Sequence, residues 1–155
     1  MRLTLIRIGS KNPFNADAMQ RAISNTLRAT AEDAQVDFQR TVATFSKKPT
    51  FTVRRDGDFS WTVSTDSQIY YWLTYGTRPH IIRPVNATRL AFAANYQRKT
   101  IPNVIASRPG GASGPTVYAT EVMHPGTEAT NHDMAIARRY NRKLPEKLRR
   151  ALSVF

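Results

Sequence analysis

Histidine is the side chain best suited to moving protons or holding a metal near neutral pH, and this chain has three: His80, His124 and His132. A metal would need their nitrogens, with or without carboxylates, to converge on one point. The spacing shows no such ligand pattern. Each imidazole stands beside a turn residue or a helix start, where a structural hydrogen bond is the commoner use. The 11 acidic residues are scattered, with no pair at general acid–base spacing. Gly110–Gly114 reads GGASG, which lacks the Gly-x-Ser-x-Gly spacing of a nucleophile turn, and neither a Walker-type phosphate loop nor a GxGxxG run after a strand occurs. With no cysteine, disulfides, thiolate metal sites and a cysteine nucleophile drop out. The residues therefore predict no catalytic group, no metal and no cofactor. Metal-assisted hydrolysis through the three histidines is the weakest functional reading.

Charge is more informative than chemistry. The sequence carries 23 Lys+Arg against 11 Asp+Glu, a net +12, and a field of that sign attracts nucleic acid, anionic surfaces or acidic partners. Between Arg138 and Arg150 there are seven basic residues and one acid, Glu146. Arg138, Arg139, Arg142, Lys143, Arg149 and Arg150 are the candidate DNA-facing residues, since cations on one helix face neutralise phosphates without reading bases. No zinc-finger, RNP or helix-turn-helix signature accompanies them. No apolar run approaches the ~20 residues that cross a bilayer, and Thr4 and Arg7 interrupt the opening MRLTLIRIG where a signal peptide would be continuously apolar. Folding in the cytoplasm, away from membranes, is expected.

The elements that must position these groups suggest one α+β domain over residues 1–155. It would consist of a small twisted, mainly antiparallel sheet packed by a long N-terminal helix, with a basic C-terminal helix. Leu3–Ile8 reads as an edge strand, or as part of an arm over 1–13 that orders on a neighbour, with Leu3 and Leu5 as contact candidates. Asn15 or Asp17 caps a helix of ~28 residues, ~42 Å at 1.5 Å per residue. Its apolar stripe runs from Met19 through Phe38 to Val42 and Phe45. Two alternating runs flank Asp56-Gly57-Asp58 as a hairpin, Phe59, Trp61 and Val63 facing that helix. Thr65-Asp66-Ser67 offers a cap for a short helix over Gln68–Tyr75. Strands are expected over Thr88–Ala93, Val104–Ala106 and Val117–Val122. Ser107–Pro115, rich in Gly, Pro and Ser, reads as a flexible loop or hairpin tip. The last helix starts after Thr130 or Asn131, aligns Ile136, Tyr140, Leu144, Leu148 and Leu152, and should kink or restart at Pro145.

The most specific stretch is Tyr70–Pro84, YYWLTYGTRPHIIRP. Its aromatics Tyr70, Tyr71, Trp72 and Tyr75 exceed what so short a helix can bury, and Tyr and Trp favour interfaces, so these four are the candidate subunit contacts. Gly76, Thr77 and His80 follow as turn residues and have an echo in His124, Pro125, Gly126 and Thr127. The order WLTYGTRPHIIRP, then LAF at Leu90–Phe92, then EVMHPGT at Glu121–Thr127 before a C-terminal helix, resembles the neck proteins of tailed bacteriophages. These are the head–tail joining or tail-completion proteins typed on the gene-ten product of a lambdoid phage, and the resemblance covers about residues 70–137.

That resemblance implies a structural virion protein rather than an enzyme. It implies assembly in the bacterial host cytoplasm as a homo-oligomeric ring, a hexamer matching a six-fold tail. The neighbours would be the connector or head-completion proteins on one side and the tail tube or tail terminator on the other. Genomic DNA passing a basic channel face is a further expectation, drawn from the charge and not from the resemblance. The alternative from another class is a sequence-independent nucleic-acid-binding module using the basic C-terminal helix.

Overall fold

A side-chain amide just ahead of an amphipathic run sets where the first helix begins. The Asn15 carbonyl oxygen accepts the Ala18 N–H at 2.9 Å, and α1 runs Ala16–Thr41. It ends where Thr41, Val42 and Thr44 bring in β-branched side chains, and its last carbonyls are closed by tightened bonds to the Val42 and Ala43 amides. The computed structural model describes residues 15–105 and 110–155. The expected arm over 1–13 with Leu3 and Leu5, residue Ala106, and 107–109 of the expected loop lie outside the described residues.

After α1 come β1 (Thr52–Gly57), β2 (Ser60–Ser64), α2 (Gln68–Tyr75), β3 (His80–Ile82), β4 (Leu90–Gln97), β5 (Gly111–Ala119), β6 (Val122–His124) and α3 (His132–Leu152). The class is α+β, with a long N-terminal and a C-terminal helix. Among the described residues the strands pair as three two-stranded antiparallel ladders, β1–β2, β3–β6 and β4–β5.

The core sits where the end of α1 meets β1 and α2. Val42, Phe51 and Tyr70 are buried, surrounded by Phe38, Phe45, Val63 and Leu73. Phe51 stacks on Phe38 at 5.2 Å and meets Tyr70 edge-on at 5.0 Å, arrangements that add to simple area burial. Trp61 and Val63 turn toward α1, with Arg28 over the indole at 5.9 Å, while Phe59 stands half exposed at the open edge of that cleft.

Packing of α3 on α1 buries Ile136 and encloses Asp37, which is 2% exposed. A buried carboxylate must be met by donors. Tyr140 Oη–H donates to Asp37 Oδ2 at 2.9 Å, Arg139 Nη1 lies 3.0 Å from the same oxygen, and Arg40 Nη1 reaches Oδ1 at 3.3 Å. Burial first, and the Asp37 carboxylate second, push the Tyr140 phenol up to about 12, so it stays a donor at neutral pH. One turn on, Lys147 Nζ pairs with Asp33 at 2.6 Å.

Three local expectations need correction. Gly111–Pro115 is not a loop but the first half of β5, its Gly111–Ser113 paired with Asn95–Gln97. The ladder skips a residue between Ala93 and Asn95, and Gly114 takes φ 93° there. The glycine and proline thus serve a bulge, on a strand that is itself an edge, where such residues fit. Val104 and Ile105 are not in a strand; the chain turns at Asn103, φ 60°, whose N–H donates to the Thr130 carbonyl at 2.7 Å. Finally, of the kink or restart expected at Pro145, the restart does not occur: α3 runs through the proline to Leu152.

Candidate functional site

The two Gly-Thr turns, fifty residues apart, meet and grip each other. Thr77 N–H donates to the Thr127 carbonyl at 3.0 Å, and Thr127 N–H returns a bond to the Thr77 carbonyl at 3.1 Å. The Thr77 hydroxyl lies 3.3 Å from the Thr127 hydroxyl. So close an approach needs glycine on both sides. Gly76 has φ 77° and ψ 177°, and a Cβ built on it would overlap the Thr127 carbonyl oxygen. Gly126 has φ 89°, and its Cβ would overlap the Thr77 carbonyl oxygen. Each glycine makes room for the other turn's threonine.

The β3–β6 ladder extends this clasp and places His80 opposite His124, their rings 5.0 Å apart. The Arg78 carbonyl can only accept, so His80 Nδ1 carries the proton in their 2.9 Å contact. His124 Nδ1 accepts the Gly126 N–H at 3.0 Å and is therefore the unprotonated nitrogen. That bond spans Pro125 and closes the HPGT turn. Beyond the clasp the chain caps α2: the Thr130 amide and hydroxyl donate to the Leu73 carbonyl, and the Asn131 amide donates to the Thr74 carbonyl. Helix ends leave such carbonyls unpaired, so the segment after HPGT completes α2.

His132, at the first position of α3, is fully buried, and among the described residues neither ring nitrogen meets a partner of good hydrogen-bond geometry. It does not join the other two histidines. Burial holds its imidazole below the ordinary histidine value, against smaller opposing pulls from the Val104 backbone and Asp133. A depressed value favours the neutral form in the folded state. The stability it contributes is therefore complete above the unfolded value of about 6.5 and is lost as pH falls through the folded value. Urea midpoints measured near pH 8 and near pH 5 should fall with acidification in the native chain and fall less in His132→Leu; parallel declines would contradict this. Among the described residues no group of three or more His, Cys, Asp or Glu gathers to hold a metal, and no helix is long and apolar enough to cross a membrane.

Helical geometry divides the four aromatics of α2. Tyr70 and Thr74 share the inner face and are buried, so Tyr70 belongs to the core and not to a subunit contact. Tyr71, Trp72 and Tyr75 stay exposed, Trp72 at 46%. Tyr71 and Tyr75 lie ring against ring at 4.8 Å, and Tyr75 Oη–H reaches Asp133 Oδ2 at 3.1 Å, tying α2 to α3. Proximity to that carboxylate raises the Tyr75 phenol above its ordinary value. Ile69, Trp72, Leu73, Ile82 and Tyr96 line an open, mostly apolar groove of about 830 Å³ beside the clasp.

The six basic candidates of α3 are also divided. Arg139 is held by Asp37 and Arg150 by Glu146, and Lys143 Nζ lies 5.7 Å over the Tyr140 ring. Arg138, Arg142 and Arg149 are exposed and make no hydrogen bond or ion pair among the described residues. The buried carboxylate of Asp37 and the capping role of Thr130 are functional placements that sequence reasoning missed. The Asp37–Tyr140 bond spans 103 residues and leaves no local mark. No family model matches this chain, and neither a curated protein nor a solved structure matches it.

Proposed function

We propose that this protein is a structural subunit of the tailed-phage neck, joining head to tail or completing the tail as one member of a homo-oligomeric ring. Six copies would match a six-fold tail. Its neighbours are the connector or head-completion proteins and the tail tube or tail terminator, and its place is the virion.

The observation that carries the reading is the β4–β5 hairpin. Both its faces are largely exposed, with Phe92, Tyr96, Val117 and Tyr118 in solvent, and among the described residues β4 and β5 are hydrogen-bonded as strands only to each other. A two-stranded hairpin without a helix or third strand is marginal on its own, and open strand edges recruit partners. A neighbouring subunit supplies what this one lacks. Tyr71 and Tyr75 of α2, outside the groove that Trp72 shares with Tyr96, form a second apolar surface, and a ring requires two unlike faces that meet head to tail. The convergence of YGT-RPH and HPGT in one clasp also gives the residues of the resemblance a shared physical purpose. The test is particle composition: the protein should be found in purified virions, and particles made without it should show filled heads and unattached or unfinished tails. A protein missing from virions, with tails complete in its absence, would overturn the reading.

A further inference from the structure

Ion pairing removes most of this chain's carboxylates from play and leaves one arginine stripe with nothing to neutralise it. Eight of the 11 carboxylates are in ion pairs, on α1, on the hairpins and at Glu128 and Glu146. Arg138, Arg142 and Arg149 project from α3 within about 40° of one another at 3.6 residues per turn, along about 16 Å of helix. The acid of that helix nearest them, Glu146, is taken by Arg150. Beside the stripe, Arg138, Arg139, Arg142 and Lys143 line an open groove of about 860 Å³ against Asn103 and Ile105, with no carboxylate in its walls.

We propose that this stripe is a sequence-independent contact for the phosphate backbone of duplex DNA. A straight row of guanidinium groups suits an evenly charged polyanion. Along one DNA strand the charges recur about every 3.4 Å, and guanidinium pairs with phosphate through two parallel bonds. An acidic protein offers no such regular row. A membrane surface fits poorly too: an interfacial helix inserts its apolar face into lipid, whereas the apolar face of α3 is engaged with α1, Ile136 being 1% exposed. Nothing in the stripe reads base edges, so affinity is independent of sequence. The inference stands on these arginines and not on ring assembly; a monomer that binds DNA upholds it while ending the ring reading, and a ring that ignores DNA does the reverse.

The experiment is fluorescence anisotropy of the full chain with two unrelated duplexes of about 30 base pairs across a salt series. Each neutralised phosphate contributes about 0.9 to the slope of log K against log salt, so replacing Arg138, Arg142 and Arg149 together by Gln should lower the slope by about 2.7 and affinity at least about tenfold. The triple Arg→Lys variant should keep most of the slope, and Arg54→Gln with Arg55→Gln, whose charges are already paired on β1, should change neither quantity. The replaced side chains are exposed and unpaired, so urea midpoints should be unchanged. An unaltered slope in the Gln variant, strong preference between the two duplexes, or binding to anionic vesicles without binding to duplex would overturn the proposal.

Discussion

Gly76→Ala should destabilise the fold by about 4 kcal/mol or leave it unfolded, and Gly126→Ala should do nearly the same. At Gly76 the pair φ 77°, ψ 177° lies in a backbone region that is essentially glycine-only and costs other residues on the order of 1–3 kcal/mol. The new methyl group would also overlap the Thr127 carbonyl and stand 3.0 Å from the Ala129 nitrogen. Both are backbone atoms and cannot swing aside. Relief requires parting the turns, which breaks the reciprocal Thr77–Thr127 bonds, each contributing about 1 kcal/mol, and strains the Thr130 and Asn131 caps on α2. Gly111→Ala is the control, because a Cβ there meets nothing within 4 Å. Urea unfolding measures all three. Losses below about 1 kcal/mol at Gly76 and Gly126 would show that the turns do not grip as described.

Asp37→Ala should cost about 3 kcal/mol. Its carboxylate accepts a hydrogen bond from a phenol at 2.9 Å and is ion-paired with a guanidinium at 3.0 Å in a nearly dry setting, and a hydrogen bond to a charged group contributes about 1.5–3 kcal/mol. The contact to Arg40 adds little, since that side chain is 66% exposed. Because Arg139 is 38% exposed it can recover water once freed, which holds the loss below the about 5 kcal/mol upper range for a broken buried pair. Tyr140→Phe should lose about 2 kcal/mol alone and almost nothing in the Asp37→Ala background, since the bond is already gone. Additive losses would place the partnership elsewhere.

Much of this architecture is legible locally. Asn15 marks the start of α1, Asp56-Gly57-Asp58 the first hairpin, and Ser67 and Gly76 the two ends of α2, because capping and turn chemistry depend on a few adjacent residues. The spacing of four puts Tyr70 and Thr74 on one face of α2 but does not say which face is buried, so Tyr70 reads as a contact until the core is in view. What escapes sequence reading is pairing across distance. Gly76-Thr77 and Gly126-Thr127 each look like a turn, but nothing in either says that its glycine makes room for the other's carbonyl. A helical aspartate such as Asp37 reads as surface until Tyr140 and Arg139 arrive from the far end of the chain. Gly114-Pro115 reads as loop because composition cannot distinguish a bulge from a break, and only the register opposite Ala93–Asn95 settles it.

If the subunit is incomplete alone, as proposed, the exposed β4–β5 hairpin and the aromatic face of α2 are covered by neighbours in a closed ring. Native mass spectrometry of the purified full chain tests this most directly, with electron-microscope images of the same sample. The claim predicts a discrete assembly of six copies, imaged as a ring. A protein that stays monomeric at every concentration tested, or that forms only open-ended chains, would contradict it.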